Sequence, residues 1–162
     1  MKRIDKNNYY LNIAETVLGR STCLRRAFGA VIIKNDEIVA TGYNGAPRAR
    51  KNCNDLGFCI REQLKIPRGE QYEMCRSIHA EQNAIISAAR KDMIGGVLYI
   101  VGKEVQTKDY VERAMPCAMC KRTIINSGIE KVVIRDTETK YREIDVEDLI
   151  ANDESLEGIR GY

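Results

Sequence analysis

One short stretch constrains this chain more than any other: Ile78-His79-Ala80-Glu81-Gln82-Asn83-Ala84-Ile85-Ile86, which holds the only histidine in the sequence. Downstream, Pro116-Cys117-Ala118-Met119-Cys120 supplies a proline and two thiols. Imidazole nitrogen and thiolate sulfur are the donors zinc prefers, and three protein ligands leave a fourth position open for chemistry. A lone histidine is more often a core or surface residue, and an isolated C-x-x-C also serves as a redox pair or half of a structural zinc site. Here both halves fall at predicted helix starts, each after an extended segment, so two helix N-termini would converge on one ion.

The local spacing supports that reading. Cys117 and Cys120 lie at i and i+3 and share one face of a helix's first turn. The helix N-terminus there favours thiolates, and Pro116 suits a helix entry, where no N–H donor is required. Glu81 sits two positions after His79, off the histidine's side of the helix. It is placed beside the metal's open position rather than on the metal, where it can accept and deliver protons.

The surrounding pattern predicts the scaffold. Residues 8–20 read as a helix with Tyr10, Ile13, Ala14, Val17 and Leu18 on one face. Ala27 to Ile33 and Ile38 to Tyr43 read as a β-hairpin around Lys34-Asn35-Asp36-Glu37. Residues 46–77 form an irregular insert with Cys53, Cys59, Cys75 and many charges, long for a compact domain, with a short helix expected near Cys59 to Lys65. A helix from His79 to Arg90, a strand from Val97 to Val101, a charged linker at 103–115, a helix from Cys117 to Ser127 capped by Gly128 and a strand from Lys131 to Arg135 follow. The tail from Asp136 is acidic, with a short helix at Val146 to Ala151. This order implies a three-layer α/β/α domain with a mixed central sheet, in which helix-linked strands run parallel.

Size and charge narrow the function. A chain of 162 residues is expected to be a single domain, 1–162. It contains no run of about 18 apolar residues, so no membrane partner is expected. The N-terminal segment lacks an apolar signal core, which predicts a cytoplasmic protein. Six cysteines in a reducing cytosol point to metal or buried thiols rather than a disulfide framework. A net charge of +3 is compatible with a small anionic substrate and too weak to argue for a nucleic-acid track.

The H-A-E … P-C-A-M-C constellation matches the zinc nucleobase-deaminase signature. With Thr22-Cys23-Leu24-Arg25-Arg26, Gly29-Ala30-Val31-Ile32, Gly42-Tyr43-Asn44-Gly45-Ala46-Pro47 and Ile124-Ile125-Asn126-Ser127-Gly128-Ile129, it resembles the deoxycytidylate (dCMP) deaminase family of the cytidine/deoxycytidylate deaminase superfamily over about residues 8–135. The resemblance implies a cytidine-deaminase-like α/β fold. It implies zinc on His79, Cys117 and Cys120, with Glu81 as the catalytic proton shuttle in conversion of dCMP to dUMP and ammonia. Asn44 and the backbone N–H of Ala80 would contact the nucleoside and the pyrimidine carbonyl. Arg26 is a candidate for the 5′-phosphate, against the alternative of a solvated charge. Microbial members often carry a second, structural zinc. Cys23, Cys53, Cys59 and Cys75 would hold it here, or else be buried free cysteines. A homo-oligomer, commonly a hexamer, with dCTP and dTTP as effectors is implied as well. The sequence departs from the family at Tyr72, where relatives often have histidine, and in the longer 103–115 linker, whose extra residues Lys103 to Tyr110 are expected to reshape the pocket. Runner-up readings are a tRNA adenosine deaminase, another nucleoside or nucleobase deaminase, and a non-catalytic zinc or nucleotide-binding module. Retention of Glu81 argues against the last.

Overall fold

In the computed structural model, which describes residues 1–156, the chain opens on helix α1 (Lys6–Leu18), started by the Asp5 side chain accepting from the Asn8 N–H at 3.0 Å. Strands β1 (Arg26–Lys34) and β2 (Glu37–Tyr43) follow as the predicted hairpin. Asn35 and Asp36 make its turn with φ of 51° and 63°, the left-handed pair that matches strand twist. The insert carries two four-residue helices, α2 (Cys53–Leu56) and α3 (Ile60–Gln63), and a 3₁₀ turn at Tyr72–Met74. Then come α4 (Ala80–Ile86), α5 (Arg90–Met93), β3 (Val97–Glu104), α6 (Ala118–Ser127), β4 (Lys131–Arg135), β5 (Tyr141–Asp145) and α7 (Val146–Ala151). Residues 157–162, the end of the expected 1–162 domain, lie outside the described residues.

The described strands form one mixed sheet in the order β2-β1-β3-β4-β5. Only the β3–β4 pair is parallel, as expected for the two strands joined through α6; the other three pairs are antiparallel. Alternation along the strands divides the core in two. Ala30, Ile32, Leu98, Ile100, Val132 and Ile134 pack with Ala80, Ala84 and Ile124 of α4 and α6. Val31, Ile33, Tyr99, Val101 and Val133 pack with Tyr10, Leu11 and Ala14 of α1. The three-layer architecture is therefore as predicted.

The differences are local. Strand β5 was not expected. Its residues, Tyr-Arg-Glu-Ile-Asp, alternate weakly, and pairing with β4 at the sheet edge overrides their low strand propensity. The helix expected over His79 to Arg90 stops at Ile86. Ser87 folds back to bond the Asn83 carbonyl at 2.8 Å, and α5 is separate.

Candidate active site

Two glycines let the helices approach the sheet. A Cβ on Gly29 would stand 2.1 Å from the Ala14 carbonyl oxygen of α1. One on Gly42 would stand 2.3 Å from both the Ala80 oxygen and the Ala84 nitrogen of α4. Helix α4 therefore rests directly on the β2 backbone. Its entry is pinned to the end of that strand: the Ile78 N–H donates to the Gly45 carbonyl at 2.8 Å, and the Asn83 side chain donates to the Tyr43 carbonyl at 2.8 Å. His79 is thereby the N-cap of α4, with its own N–H donating to Gln82 Oε1 at 3.3 Å. Cys117 is the N-cap of α6, which ends at Gly128 in the left-handed conformation, φ 83°.

The two helix entries meet. His79 Nδ1 lies 3.4 Å from the Sγ of Cys117 and 3.4 Å from the Sγ of Cys120, and the three donor atoms fall within 4.8 Å of one another. A tetrahedral zinc with ordinary bond lengths would separate nitrogen and sulfur by about 3.6 Å. The donor set and its spacing fit zinc, and His79, Cys117 and Cys120 are positioned to hold it. Among the described residues this is the one such group of histidine, cysteine or carboxylate side chains.

Crowding and burial set the electrostatics of the cluster. The Cys120 side chain donates to Cys117, and His79 faces it; together they pull the Cys117 thiol down to about 4. The same bond, with burial and the Glu81 charge, pushes Cys120 up. Burial opposes an imidazolium at His79, yet its bonds to Cys117 and Cys75 and the Glu81 charge outweigh that and raise it to about 11. Burial raises the Glu81 carboxyl, with the His79 charge working the other way. Electron-pair donors are crowded here around a place for positive charge.

A cavity of about 280 Å³ opens above the cluster, with His79, Ala80, Glu81 and Cys117 at its wall. Asn44 and Arg26 line it too, in different states from those expected. The Asn44 side chain is braced by the protein: Oδ1 accepts from Phe28 N–H (2.8 Å) and the Ser21 hydroxyl (2.6 Å), and Nδ2 donates to the Arg26 carbonyl (2.8 Å). One N–H of its amide remains for a ligand. Arg26 is bound to the Glu104 carboxylate through Nε and Nη2, both at 2.9 Å, so a phosphate would compete with that pair. Ala80, fully buried, presents the first backbone N–H of α4, which has no acceptor within its own helix.

The four other thiols share one neighbourhood without forming a ligand group. All six cysteines are free thiols. Cys53 is buried and feels Cys23, Cys75 and Cys59, but no three of these four draw within the spacing seen at His79. Cys75 turns instead toward His79. The extra linker residues also behave differently from expectation. Lys103 and Glu104 complete β3, and the chain then curls back so that Glu104 N–H meets the Asp109 carbonyl at 2.9 Å. Residues Lys103 to Tyr110 do not line the cavity; Val111 to Met115 do, with Val111 and Ala114 buried. Sequence reasoning missed Arg61, whose only signal is its place among the charges of the insert. It singles out Tyr72 only as a departure from the family and Glu104 only as one of the extra linker residues, with no sign of their contacts to His79 and Arg26.

The sequence profile described as the cytidine and deoxycytidylate deaminase zinc-binding region matches residues 4–136. The chain is 36% identical over 138 residues to the deoxycytidylate deaminase of Mycobacterium phage D29, covering 82% of this chain and 96% of that one. It is 33% identical over 129 residues to the deoxycytidylate deaminase of Schizosaccharomyces pombe, covering 78% of this chain but 36% of the yeast protein. Among solved structures, the dCMP deaminase from cyanophage S-TIM5, in apo form, superposes with a TM-score of 0.57 at 27% identity. That alignment covers 85% of this chain and 86% of the cyanophage one. The same enzyme has been solved in complex with dCMP and dUMP, with a TM-score of 0.57 at 25% identity and 85% of each chain covered.

Proposed function

The chain belongs to the cytidine and deoxycytidylate deaminase family, and from that premise we propose that it deaminates dCMP hydrolytically to dUMP and ammonia. The observation that carries the proposal is the meeting of His79 Nδ1 with two cysteine sulfurs beside the buried Glu81 carboxyl, on the wall of one cavity. When bound, zinc supplies a Lewis acid that makes water nucleophilic near neutral pH.

The chain's own residues do the rest. Glu81 takes one proton from the attacking water and delivers it to the ring nitrogen, then carries the second, from the new C4 hydroxyl, to the departing amine as the C–N bond breaks and C4 of cytosine becomes a carbonyl. Its burial favours the proton-holding state and keeps the carboxyl from drifting into solvent. The Ala80 N–H and the remaining Asn44 N–H orient the base and sugar. Arg26 meets the phosphate by exchanging its Glu104 partner. The cavity wall of Val111 and Ala114 excludes water from the ring.

We propose the family's wider properties for this chain as well. The protein is cytoplasmic, consistent with six free thiols. It assembles as a homo-oligomer, a hexamer, responsive to dCTP and dTTP. Cys23, Cys53, Cys59 and Cys75, which share one neighbourhood, are the ligands of a second zinc. Ammonia release from a panel of dCMP, dCTP, cytidine, cytosine and a tRNA anticodon stem-loop tests the activity. Turnover of dCMP above the others is expected, and no turnover of any cytosine nucleotide overturns it. Metal analysis tests the second site: two zinc per chain, falling to one in Cys53→Ser, is expected, and one zinc in both removes it. Light scattering with and without dCTP or dTTP reads the assembly.

A further inference from the structure

The insert holds an arrangement that neither the zinc chemistry nor the substrate contacts use. Tyr72 opens the 3₁₀ turn, and its ring stands edge-on to the His79 imidazole, with centroids 5.3 Å apart and planes at 82°. Behind it the Arg61 guanidinium lies 4.4 Å from the centre of the Tyr72 ring. Arg61 is 5% exposed, and its Nη2 donates to the Pro67 carbonyl at 3.0 Å and the Glu70 carbonyl at 2.6 Å. Its Nε is buried without a hydrogen-bond acceptor, and no carboxylate pairs with Arg61 among the described residues. A buried guanidinium without a carboxylate is costly. What it faces here is the π-cloud of the one aromatic ring that touches the metal-binding histidine.

We infer that Arg61 and Tyr72 form a clamp that fixes the ring orientation of His79, making Tyr72 a positioning residue for the metal centre. The inference rests on the proposed zinc site. The His79 imidazole turns about two side-chain torsions, and to serve as a ligand Nδ1 must stay where it is seen, 3.4 Å from the Sγ of both Cys117 and Cys120. Metal-ligating histidines commonly have their other ring nitrogen held by a hydrogen-bonding partner, whose loss weakens metal binding by about 10–100-fold; at His79 the Cys75 thiol meets the imidazole and the Tyr72 ring packs against it, so the two restrain the ring together. Two loop carbonyls hold Arg61, Arg61 holds the Tyr72 face, and Tyr72 blocks rotation of the imidazole. The insert thereby reaches the catalytic ion through a stack of side chains.

The single histidine makes the test clean. The full chain is loaded with zinc, labelled with ¹⁵N in histidine, and followed by NMR, while zinc transfer to a chelator is timed. Wild type and Tyr72→Phe, which keeps the ring, are expected to show one sharp imidazole pattern and release rates within twofold of each other. Tyr72→Leu is expected to broaden or split that pattern and release zinc about tenfold faster or more. Arg61→Met should move both in the same direction by less, and serves if Tyr72→Leu does not fold. A wild-type imidazole pattern and zinc release in Tyr72→Leu, or in Arg61→Met if that variant alone folds, overturns the clamp and leaves the zinc site standing. A wild-type chain that takes up no zinc at His79 overturns the functional reading and the clamp with it.

Discussion

Two buried polar clusters sit on opposite faces of the sheet, and they are built on opposite logic. Beneath α1, Arg135 is held by the side chains of that helix: Nη1 donates to Glu15 Oε2 at 2.8 Å, and Nη2 to the side-chain oxygens of Asn8 (3.0 Å) and Asn12 (2.9 Å), while Nε is buried without an acceptor. Lys103 and the Tyr110 hydroxyl complete the Glu15 carboxylate. There one carboxylate of the chain serves two of its cations, Arg135 and Lys103. At the entries of α4 and α6, by contrast, an imidazole, two thiols and a buried carboxyl crowd together on the wall of a cavity. The first cluster fastens a helix to a sheet. The second gathers a zinc-type donor set and a desolvated carboxyl where a ligand can reach them, and that makes it a candidate for chemistry.

The largest expected effect separates the two at once. Glu81→Ala should lower kcat for dCMP by roughly 10²–10⁴-fold, the usual worth of a positioned acid–base group. Zinc content should stay unchanged and the melting temperature equal or higher, because a desolvated carboxyl has been removed. A Glu81→Ala enzyme with wild-type kcat would falsify the proton-shuttle assignment. Arg135→Met should do the reverse. Glu15 is 27% exposed and keeps Lys103 and Tyr110, so the loss of its bonds to a charged partner should cost about 1.5–3 kcal/mol, read as a lower urea midpoint, while KM and zinc per folded chain hold steady. If KM moves instead, the two clusters are coupled through the sheet and the contrast is too simple.

A pair of glycine variants sharpens the comparison at smaller amplitude. Gly29→Ala and Gly42→Ala each force a Cβ into helix backbone and should destabilise by about 1–3 kcal/mol. Only Gly42→Ala, beneath α4, should also speed zinc loss, since it displaces the helix that His79 caps. Equal zinc retention in both would show that the His79 entry does not depend on the seating of α4.

The smallest effect is a pH dependence confined to the α1 cluster. Burial raises the Glu15 carboxyl, but hydrogen bonds from Lys103, Arg135 and Tyr110 outweigh it and hold it below its ordinary 4.5. Its stabilisation is therefore complete above about pH 4.5 and is lost as pH falls through the depressed folded value. Glu15→Gln should melt lower than wild type at pH 7, and the gap should close as the pH is taken below 4.5. A gap that stays constant over that range would mean that Glu15 acts through packing rather than charge.

Much of this was legible beforehand, for identifiable reasons. The β1–β2 hairpin, β4 and α7 follow from alternation, turn chemistry and caps, all local signals. The metal triad was legible because only one histidine exists and because Pro-Cys-x-x-Cys places two thiols on one helical turn. Asn44 was read as a substrate contact from its place in Gly-Tyr-Asn-Gly. That its amide is largely consumed by Phe28, Ser21 and Arg26 depends on strands and loops that no local pattern brings together. The pairing of Arg26 with Glu104 across β1 and β3 is non-local in the same way. So is β5, a charge-rich segment that becomes a strand because β4 has an edge to offer.

The sequence by itself determined the candidate reacting groups: one imidazole, two thiols at i and i+3, and a carboxyl two residues from the histidine, each set by short-range helix geometry. Only the tertiary structure decided how those groups are held and screened. Arg61 and Tyr72 reach His79 from an insert without periodicity, and residues 111–115, rather than the extra 103–110, close the cavity. The physical reason is range. Backbone periodicity and capping act over one or two turns, whereas ring contacts, ion pairs and cavity walls depend on which segments the sheet order brings side by side.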